Sequence, residues 1–469
     1  MRYLLLILVL ATQVTPGAAR EIDEHRWEGV ERIVAIGDVH GDYDAYRQVL
    51  RLAGITNRRG RWIAGETHLV QTGDIADRGP DTLRIIRHLD GLARQARRAD
   101  GRVHHLIGNH EAMNVYGDLR YVTPGEFRAF VNRDSERVRD RYFAAVMEHM
   151  RETEPDRHAA LPDDYREQWN RNHPLGWVEH RLAWDPRWNP DGELFQWVMT
   201  SKVAVQLNDM IFVHGGISRE YYRHDLASLT KMVHDALKLD ETTDLGIVTD
   251  ETGPLWYRGL AGTPPATTPE TVSAILKRHE ARHIVMGHTP TGGVIWPRHD
   301  AGAILIDTGM GAYYGGHIGW LEYSDGQLLA GYPEDTLQLP LRDDERLDYL
   351  ERVMEMQPDN DNLKQRHRNL KRHGGREEKD DAEDEVEAVG PDPAATPGTV
   401  RSLRFRNDPG FPGSGKTPED SAAHGCDYAS STWARQGPGP GYLPRVREIP
   451  GAQSPAPDYV GRTPGTDAR

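Results

Sequence analysis

Asp38 and His40 stand two residues apart in the motif Gly-Asp-Val-His-Gly at residues 37–41, directly after the apolar run 33–36. In an extended chain, residues two apart point to the same side. A carboxylate and an imidazole that share one side are part of a metal site, and the glycines allow the backbone to turn tightly beside them. This first motif therefore predicts part of a metal site at the end of a strand.

Two further motifs add a bridging carboxylate, a neutral oxygen and candidate acid–base groups. Asp74 lies in Gly-Asp-Ile-Ala-Asp-Arg-Gly at residues 73–79, after the apolar run 68–71, and its two oxygens can bridge two cations. Arg78 of the same motif has a fixed fork of donors that matches phosphate oxygens. Asn109 and His110, in Gly-Asn-His-Glu at residues 108–111, offer a neutral oxygen ligand and a candidate proton donor.

Two more histidines and a second arginine complete the set. His214 lies in Phe-Val-His-Gly-Gly at residues 212–216, and His288 lies in Val-Met-Gly-His-Thr-Pro at residues 285–290. Arg258, in Leu-Trp-Tyr-Arg-Gly at residues 255–259, is a second candidate phosphate ligand. Each motif alone is more often a turn or a satisfied core histidine. Five of them in one order, each after an apolar run, indicate a single polar site.

The elements that must position these residues are those of an α/β protein. Between about residues 32 and 332, apolar strand-like runs alternate with helical stretches. We predict strands at residues 33–36, 68–71, 103–107, 202–213, 283–286, 303–306 and 318–323. The motifs follow the carboxyl ends of strands, where α/β sheets collect their functional groups.

Residues 112–200 are too long for a plain connection, and we predict a helical insertion over the site. Its later part is rich in tryptophan, which is consistent with extra core packing, with contact to a substrate, or with both.

These motifs resemble those of the calcineurin-like metallophosphoesterase superfamily, in particular its phosphoprotein-phosphatase branch. The long insertion, the Leu-Trp-Tyr-Arg-Gly motif and the apolar N-terminus resemble the bacterial, Shewanella-like subgroup. The resemblance implies a domain over residues 30–340 with two packed mixed β-sheets flanked by helices (α/β/β/α) and a helical insertion. Residues 307–311 lack the tyrosine-bearing motif of the eukaryotic enzymes, so we do not expect the regulatory subunits of those enzymes.

The resemblance also implies a role for each candidate residue. Its metal ligands are Asp38, His40 and Asp74 for one cation, and Asp74, Asn109, His214 and His288 for the other. Arg78, Asn109 and Arg258 would bind the phosphate. His110 would protonate the leaving oxygen, with Asp77 orienting it. Two divalent or trivalent ions of Mn, Fe or Zn suit these ligands, and a hydroxide that bridges them would attack phosphorus directly, without a phosphoenzyme.

The predicted function is hydrolysis of phosphate monoesters, on serine, threonine or tyrosine of proteins or on a small molecule. Three alternatives stay open: a dinucleoside-polyphosphate hydrolase, a phosphodiesterase, and a metal-containing binding module without turnover.

The composition limits partners and location. The 469 residues carry 57 Lys and Arg against 72 Asp and Glu, a net charge of −15, which disfavours nucleic acid and anionic membranes as partners. Arg2, the apolar run 3–11 and the small residues 17–19 predict a signal peptide over residues 1–19. We therefore expect a periplasmic or secreted protein without a membrane anchor after cleavage. With one cysteine, Cys426, the chain forms no internal disulfide.

The C-terminal part has a different composition. Residues 341–375 predict a charged helical segment, and residues 376–469 predict a disordered tail that is acidic and then rich in Pro and Gly. Residues 410–417 match the phosphate-loop pattern, but no apolar strand precedes them and Pro418 follows at once. We interpret this match as chance, because the pattern binds phosphate only between a strand and a helix.

Overall fold

The computed structural model of the protein describes residues 20–240, 244–262 and 267–372, all of which belong to one compact unit. The predicted signal peptide, the predicted tail and the phosphate-loop pattern at residues 410–417 lie outside the described residues. None of the described helices is both long enough and apolar enough to cross a membrane.

The described strands form two mixed sheets. In chain order they are β1 (Arg20–Asp23), β2 (Arg26–Glu28), β3 (Arg32–Ile36), β4 (His68–Gln71), β5 (Arg102–His105), β6 (Ala204–Leu207), β7 (Met210–Val213), β8 (His283–Met286), β9 (Trp296–Arg298), β10 (Ala303–Leu305), β11 (Trp320–Ser324), β12 (Gln327–Gly331) and β13 (Thr336–Gln338). Sheet A has the order β1-β2-β6-β7-β8-β10-β9, and sheet B has the order β13-β12-β11-β3-β4-β5.

Both sheets contain a block of parallel strands, which lies inside sheet A and at one edge of sheet B. In sheet B, β3, β4 and β5 are parallel, and β11 pairs antiparallel with the free side of β3. In sheet A, β7, β8 and β10 are parallel. The carboxyl ends of five of these strands, β3, β4, β5, β7 and β8, precede the five polar motifs, as the sequence predicts. The predicted α/β fold with two packed mixed sheets is confirmed.

The described helices connect the strands and cover the sheets. They are α1 (Tyr43–Leu52), α2 (Thr82–Arg97), α3 (Asn109–Tyr116), α4 (Pro124–Arg128), α5 (Ser135–Thr153), α6 (Pro155–Ala159), α7 (Tyr165–Asn172), α8 (Trp177–Trp184), α9 (Glu193–Thr200), α10 (Leu226–Leu237), α11 (Gly246–Thr249), α12 (Pro269–His279), α13 (Arg346–Met356) and α14 (Asp361–Arg372). Short 3₁₀ turns lie at Gly259–Ala261, Ala312–Tyr314 and Asp343–Glu345.

Strand β3 contributes side chains to two separate hydrophobic cores. Its side chains alternate between the faces of sheet B. Ile33 and Ala35 pack in a core shared with the strands of sheet A, whereas Val34 and Ile36 pack in the core that contains α1 and α2. A strand buried on both faces reads as a continuous apolar run, which is why residues 33–36 show no polar alternation.

The prediction of one strand over residues 202–213 is wrong. The segment forms the antiparallel pair β6 and β7, which turns at residues 208 and 209. Asn208 takes the left-handed backbone with φ of 53°, which asparagine tolerates better than most residues. Its side chain also bonds the backbone N–H and carbonyl of Val30, so the turn is fixed by the neighbouring chain.

The segment that we predicted as an insertion contains helices α4 to α9 and has its own apolar cluster. Tyr142, Val146, Trp169 and Trp188 are buried there, together with Val138 and Val178. Trp184 and Trp197 instead join the core of α1 and α2. The described tryptophans of this segment thus serve packing.

Candidate active site

The motifs meet where the carboxyl ends of the parallel strands of the two sheets face each other. Sheet B contributes Asp38 after β3, Asp74 after β4 and Asn109 after β5, and sheet A contributes His214 after β7 and His288 after β8. Each of these five side chains is at most 4% exposed. The predicted ligand His40 is buried beside them.

Asp74 lies at the centre of this cluster. Its Oδ2 is 3.3 Å from His214 Nε2 and 3.9 Å from both His40 Nε2 and His110 Nε2. Two groups of ligand atoms can each hold a metal ion, namely His40, Asp74 and His110, and Asp74, His214 and His288. Asp74 belongs to both groups, as expected for a bridging carboxylate. His110 in the first group is a residue that the sequence suggested as a proton donor.

Hydrogen bonds to backbone carbonyls fix which ring nitrogen each histidine presents. His214 Nδ1 lies 2.9 Å from Thr72 O, and His40 Nδ1 lies 3.1 Å from Ala76 O. A carbonyl only accepts, so in both rings Nδ1 carries the hydrogen and Nε2 keeps its lone pair towards Asp74. His288 uses the opposite nitrogen: its Nε2 bonds Trp256 O at 3.1 Å, so Nδ1 keeps the lone pair. Such second bonds are usual for metal-binding histidines.

The ionisation of these groups reflects burial and crowding. Burial and the nearby carboxylates of Asp307 and Asp74 raise the pKa of Asp38 well above its usual range. Burial and the neighbouring His110 lower the pKa of His40 to about 3, so this imidazole is neutral. Burial opposes the ionisation of Asp74, but the imidazoles of His214 and His110 hold its pKa well below its usual value.

The donor set fits metal cations. Carboxylates, imidazoles with oriented ring nitrogens and the Asn109 amide oxygen can all act as metal ligands, and they converge in a buried space. Like-charged carboxylates in such a space are unfavourable unless a cation compensates them. The residues therefore suit a group that is positive and accepts lone pairs.

Half of the ten predicted site residues have the left-handed backbone conformation, with positive φ at His40, Asp74, Asp77, Arg78 and His288. Only a few per cent of non-glycine residues adopt it, and such strain concentrates at functional sites. The surrounding loops pack too closely to relax. A Cβ at Gly108 would overlap the Asp74 carboxylate, and one at Gly287 would overlap the Asp38 carboxylate.

His110 and Asp77 form a buried dyad at the edge of the cluster. His110 Nδ1 lies 2.6 Å from Asp77 Oδ2, and Asp77 Oδ1 accepts a hydrogen bond from Asn114 at 2.9 Å. Burial lowers the pKa of His110, but the carboxylates of Asp74 and Asp77 outweigh it and raise the pKa above its ordinary value. With Nδ1 bonded to Asp77, Nε2 is the atom that faces the site.

Arg78 is held by aromatic rings instead of by an acid. Its guanidinium carbon lies 3.9 Å from the centre of the Tyr121 ring and 4.5 Å from that of Tyr313. Among the described residues it forms no ion pair and its Nε has no hydrogen-bond partner, so its positive charge is available to an anion. Arg258 is oriented differently, by bonds from Nη1 to His288 O at 2.8 Å and to Thr289 Oγ1 at 3.1 Å.

From the sequence, no role was assigned to several residues that the structure places in the site. Tyr313 is 63% exposed and lies over Arg78, while the Tyr314 ring lies 5.1 Å from that of His40. Tyr313 and Tyr314 lie in the short turn that directly follows residues 307–311, the run that departs from the eukaryotic motif. Asp307 is buried near Asp38, and burial raises its pKa to about 6. An aspartate directly after a predicted strand was the available signal.

Glu111 also had no assigned role, although it ends the third motif. Its carboxylate accepts hydrogen bonds from four backbone N–H groups, those of Gly108, Asp74, Ile75 and Ala76, at 2.8 to 3.0 Å. It thereby joins the loops that follow β4 and β5.

Known proteins resemble this chain in sequence and in fold. The family described as calcineurin-like phosphoesterase matches residues 31–292. An uncharacterized protein of Schizosaccharomyces pombe is 31% identical over 304 residues, which are 62% of this chain and 77% of that protein. Shewanella-like protein phosphatase 2 of Arabidopsis thaliana is 32% identical over 222 residues, or 46% of this chain, and this chain spans only 54% of its length.

A solved structure is similar to this chain in fold as well as in sequence. The cold-active protein-tyrosine phosphatase of a psychrophilic Shewanella species is 27% identical with a TM-score of 0.51, over 68% of this chain and 83% of that one. The predicted resemblance to this superfamily and to its Shewanella-like subgroup is confirmed.

Proposed function

Because this chain belongs to the calcineurin-like phosphoesterase family and is a metal-dependent phosphoesterase, we propose that it hydrolyses phosphate monoesters of proteins, with a preference for phosphotyrosine. The observation that carries the proposal is Arg78, which is held between Tyr121 and Tyr313 beside the His110–Asp77 dyad. The similar Shewanella protein is a protein-tyrosine phosphatase, which supports the same substrate class.

The metals are held, in this proposal, by the residues that the sequence indicates. Asp38, His40 and Asp74 hold one cation, and Asp74, Asn109, His214 and His288 hold the other. When bound, two such cations activate water and neutralise charge on the phosphoryl oxygens. The ligands suit Mn, Fe or Zn.

The dyad delivers the proton. His110 gives its Nε2 hydrogen to the departing oxygen, while the bond from Nδ1 to Asp77 keeps the ring oriented and favours its charged form. Asn114 bonds the second oxygen of Asp77 and prevents the carboxylate from rotating away. Asp77 thus acts through His110, as a positioning residue.

Arg78 and Arg258 bind the phosphate from different sides of the site, with the Asn109 amide between the loops. Arg258 is fixed by two bonds to the loop at residues 288 and 289, so it loses little freedom when an anion binds. Both arginines also stabilise the charge that develops on the equatorial oxygens.

The aromatic rings around Arg78 favour a flat substrate. Tyr313 is exposed, and a phenyl ring whose phosphate reaches Arg78 must pass its face. Paired aromatic rings contribute about 0.5–1.5 kcal/mol beyond the area they bury. A phosphotyrosine ring gains this contact, whereas the short side chains of phosphoserine and phosphothreonine do not.

The test measures turnover of para-nitrophenyl phosphate by the metal-stripped protein titrated with Mn²⁺, and then of matched phosphotyrosine and phosphothreonine peptides. We expect metal-dependent turnover and a phosphotyrosine preference that falls about 2- to 10-fold in Tyr313→Ala, but not in Tyr313→Phe, which keeps the ring. An unchanged preference in Tyr313→Ala would remove the aromatic argument.

The same assay addresses the alternatives. Turnover of bis-para-nitrophenyl phosphate or of a dinucleoside tetraphosphate, without monoester turnover, would establish a diesterase or a nucleotide hydrolase. A folded, metal-loaded protein that hydrolyses none of these esters would indicate a binding module.

We further propose that the protein is exported, on the basis of residues 1–19. Expression of the full chain, followed by cell fractionation and N-terminal sequencing, is expected to give a periplasmic or secreted protein that begins at Arg20. An intact Met1 on the cytoplasmic protein would contradict this.

A further inference from the structure

A group of five arginines lies near the starts of α1 and α2 and on the loop at residues 57–61. This arginine strip consists of Arg47, Arg58, Arg59, Arg61 and Arg84, all exposed except Arg47, which is half-buried. We propose that the strip binds acidic residues that flank the phosphorylated side chain of a protein substrate. The inference rests on the proposed function.

The strip is contiguous because Tyr43 and Arg47 join its parts. The guanidinium carbon of Arg84 stacks 3.6 Å from the centre of the Tyr43 ring, and Arg47 Nη1 donates to the Tyr43 hydroxyl at 3.1 Å. Arg47 Nη2 donates to the carbonyl of Arg58 at 3.1 Å, which ties the loop at residues 57–61 to the helices.

The strip begins at the rim of the site. Tyr43 follows Asp42, whose carboxylate caps α1 through Ala45 N and also accepts a hydrogen bond from Ala312 N at 2.9 Å. Ala312 starts the short turn that contains Tyr313. Helix α2 begins four residues after Arg78, so the first turns of both helices lie where β3 and β4 release the chain towards the site.

The strip keeps an excess of positive charge. Among the described residues, Arg47, Arg58, Arg59 and Arg61 form no ion pair within 4.0 Å, and Arg84 has only Asp81 at 3.7 Å. The acidic groups at the start of the same two helices are Asp42, Asp44 and Asp81, against five arginines in the strip. Burial, and to a smaller degree the charges of Arg47 and Arg84, lower the pKa of the intervening His88, which adds no charge at neutral pH.

The chemistry of the strip selects its ligand. Guanidinium groups bind carboxylates in pairs of hydrogen bonds, and they do so best where no internal acid competes. The whole chain carries a net charge of −15, which repels long polyanions such as nucleic acid. A short acidic segment next to a phosphorylated residue would contact only the positive strip and not the acidic remainder of the chain.

The experiment compares two phosphopeptides with the same phosphorylated residue, one with acidic and one with neutral flanking residues. The strip variant combines Arg59→Glu and Arg84→Glu. The control combines Arg94→Glu and Arg98→Glu, which make the same charge change on exposed arginines at the other end of α2, about 15 Å away from Arg84.

We expect the parent to prefer the acidic peptide through KM, and the preference to weaken as ionic strength rises. The strip variant should lose about tenfold in kcat/KM for the acidic peptide, from two reversed charges near the ligand. Its turnover of para-nitrophenyl phosphate and its thermal unfolding midpoint should match those of the parent, and the control should match the parent throughout.

Three results would overturn the inference while leaving the esterase intact: equal turnover of both peptides by the parent, an equal loss in the control, or an equal loss with para-nitrophenyl phosphate. Strip-dependent retention of an oligonucleotide or of anionic vesicles, without peptide discrimination, would assign the strip to another partner. A parent inactive on para-nitrophenyl phosphate and on both peptides would instead refute the proposed function.

Discussion

Replacing Glu111 by glutamine should destabilise the protein more than other substitutions of similar size. The Glu111 carboxylate is fully buried, and each of its oxygens accepts two backbone N–H groups. Glutamine keeps one oxygen and turns an NH₂ group towards the other two donors. Two buried N–H groups then lose their acceptor.

The cost follows from those two groups. Each buried donor left without a partner costs about 1–3 kcal/mol, so Glu111→Gln should lose about 2–6 kcal/mol. Domains are stabilised by only about 5–15 kcal/mol in total. The loops that carry Asp74 and Asn109 should also lose their fixed spacing, and kcat should fall with stability.

The assay is urea unfolding of metal-stripped protein, so that metal binding does not mask the effect. The matched control is Glu126→Gln. Glu126 is equally buried, but neither of its oxygens accepts a well-formed hydrogen bond from the described residues, and burial and the charge of Asp77 raise its pKa well above normal. The control should lose less than about 1 kcal/mol. A Glu111→Gln loss no larger than that of the control would refute the reasoning.

Three further predictions concern metal, phosphate and acid stability. Asp74→Asn should abolish turnover and lower bound metal in elemental analysis, whereas Asp77→Asn should lower kcat with the metal retained. Arg258→Ala should reduce kcat/KM for para-nitrophenyl phosphate about 100-fold, with partial recovery in Arg258→Lys. Burial lowers the pKa of His68 to about 4, against about 6.5 when unfolded. The contribution of neutral His68 to stability should therefore be full above about pH 6.5 and be lost as pH falls towards 4, and His68→Gln should reduce the pH dependence of urea unfolding in that range.

Most strand ends of this protein were predictable because most of its parallel strands are buried on both faces, whereas β5 is only partly buried. Continuous apolar runs end abruptly at Gly-Asp, Gly-Asn and Gly-His, so the motif residues and their common edge of the sheets follow from the sequence alone. The pair β6 and β7 could not be found by the same reasoning, since apolar side chains continue on both sides of the turn. Asn208 followed by Asp209 was the one local signal for it.

The surroundings of the motifs were harder to predict because they depend on how loops fold back. Tyr313 contacts Arg78 although the two residues are far apart in the sequence. No hydrophobic periodicity in the sequence predicts such a long-range contact. Glu111 has a visible place in a motif, yet its four donors come from two separate loops. Residue types in the sequence predicted which side chains could take part in the chemistry. The residues that hold those side chains in place could be identified only from the path of the backbone.

The bonds from His288 N to both oxygens of Asp38 span 250 residues. At about 5–20 residues per second, synthesis separates the two residues by roughly 12 to 50 s. Until residue 288 is made, the first three motifs lack their partner after β8, and sheet B still lacks β11. The complete ligand set can therefore form only after β3 and β8 have come together, so metal held by all of these residues would report that the two sheets are joined at the site.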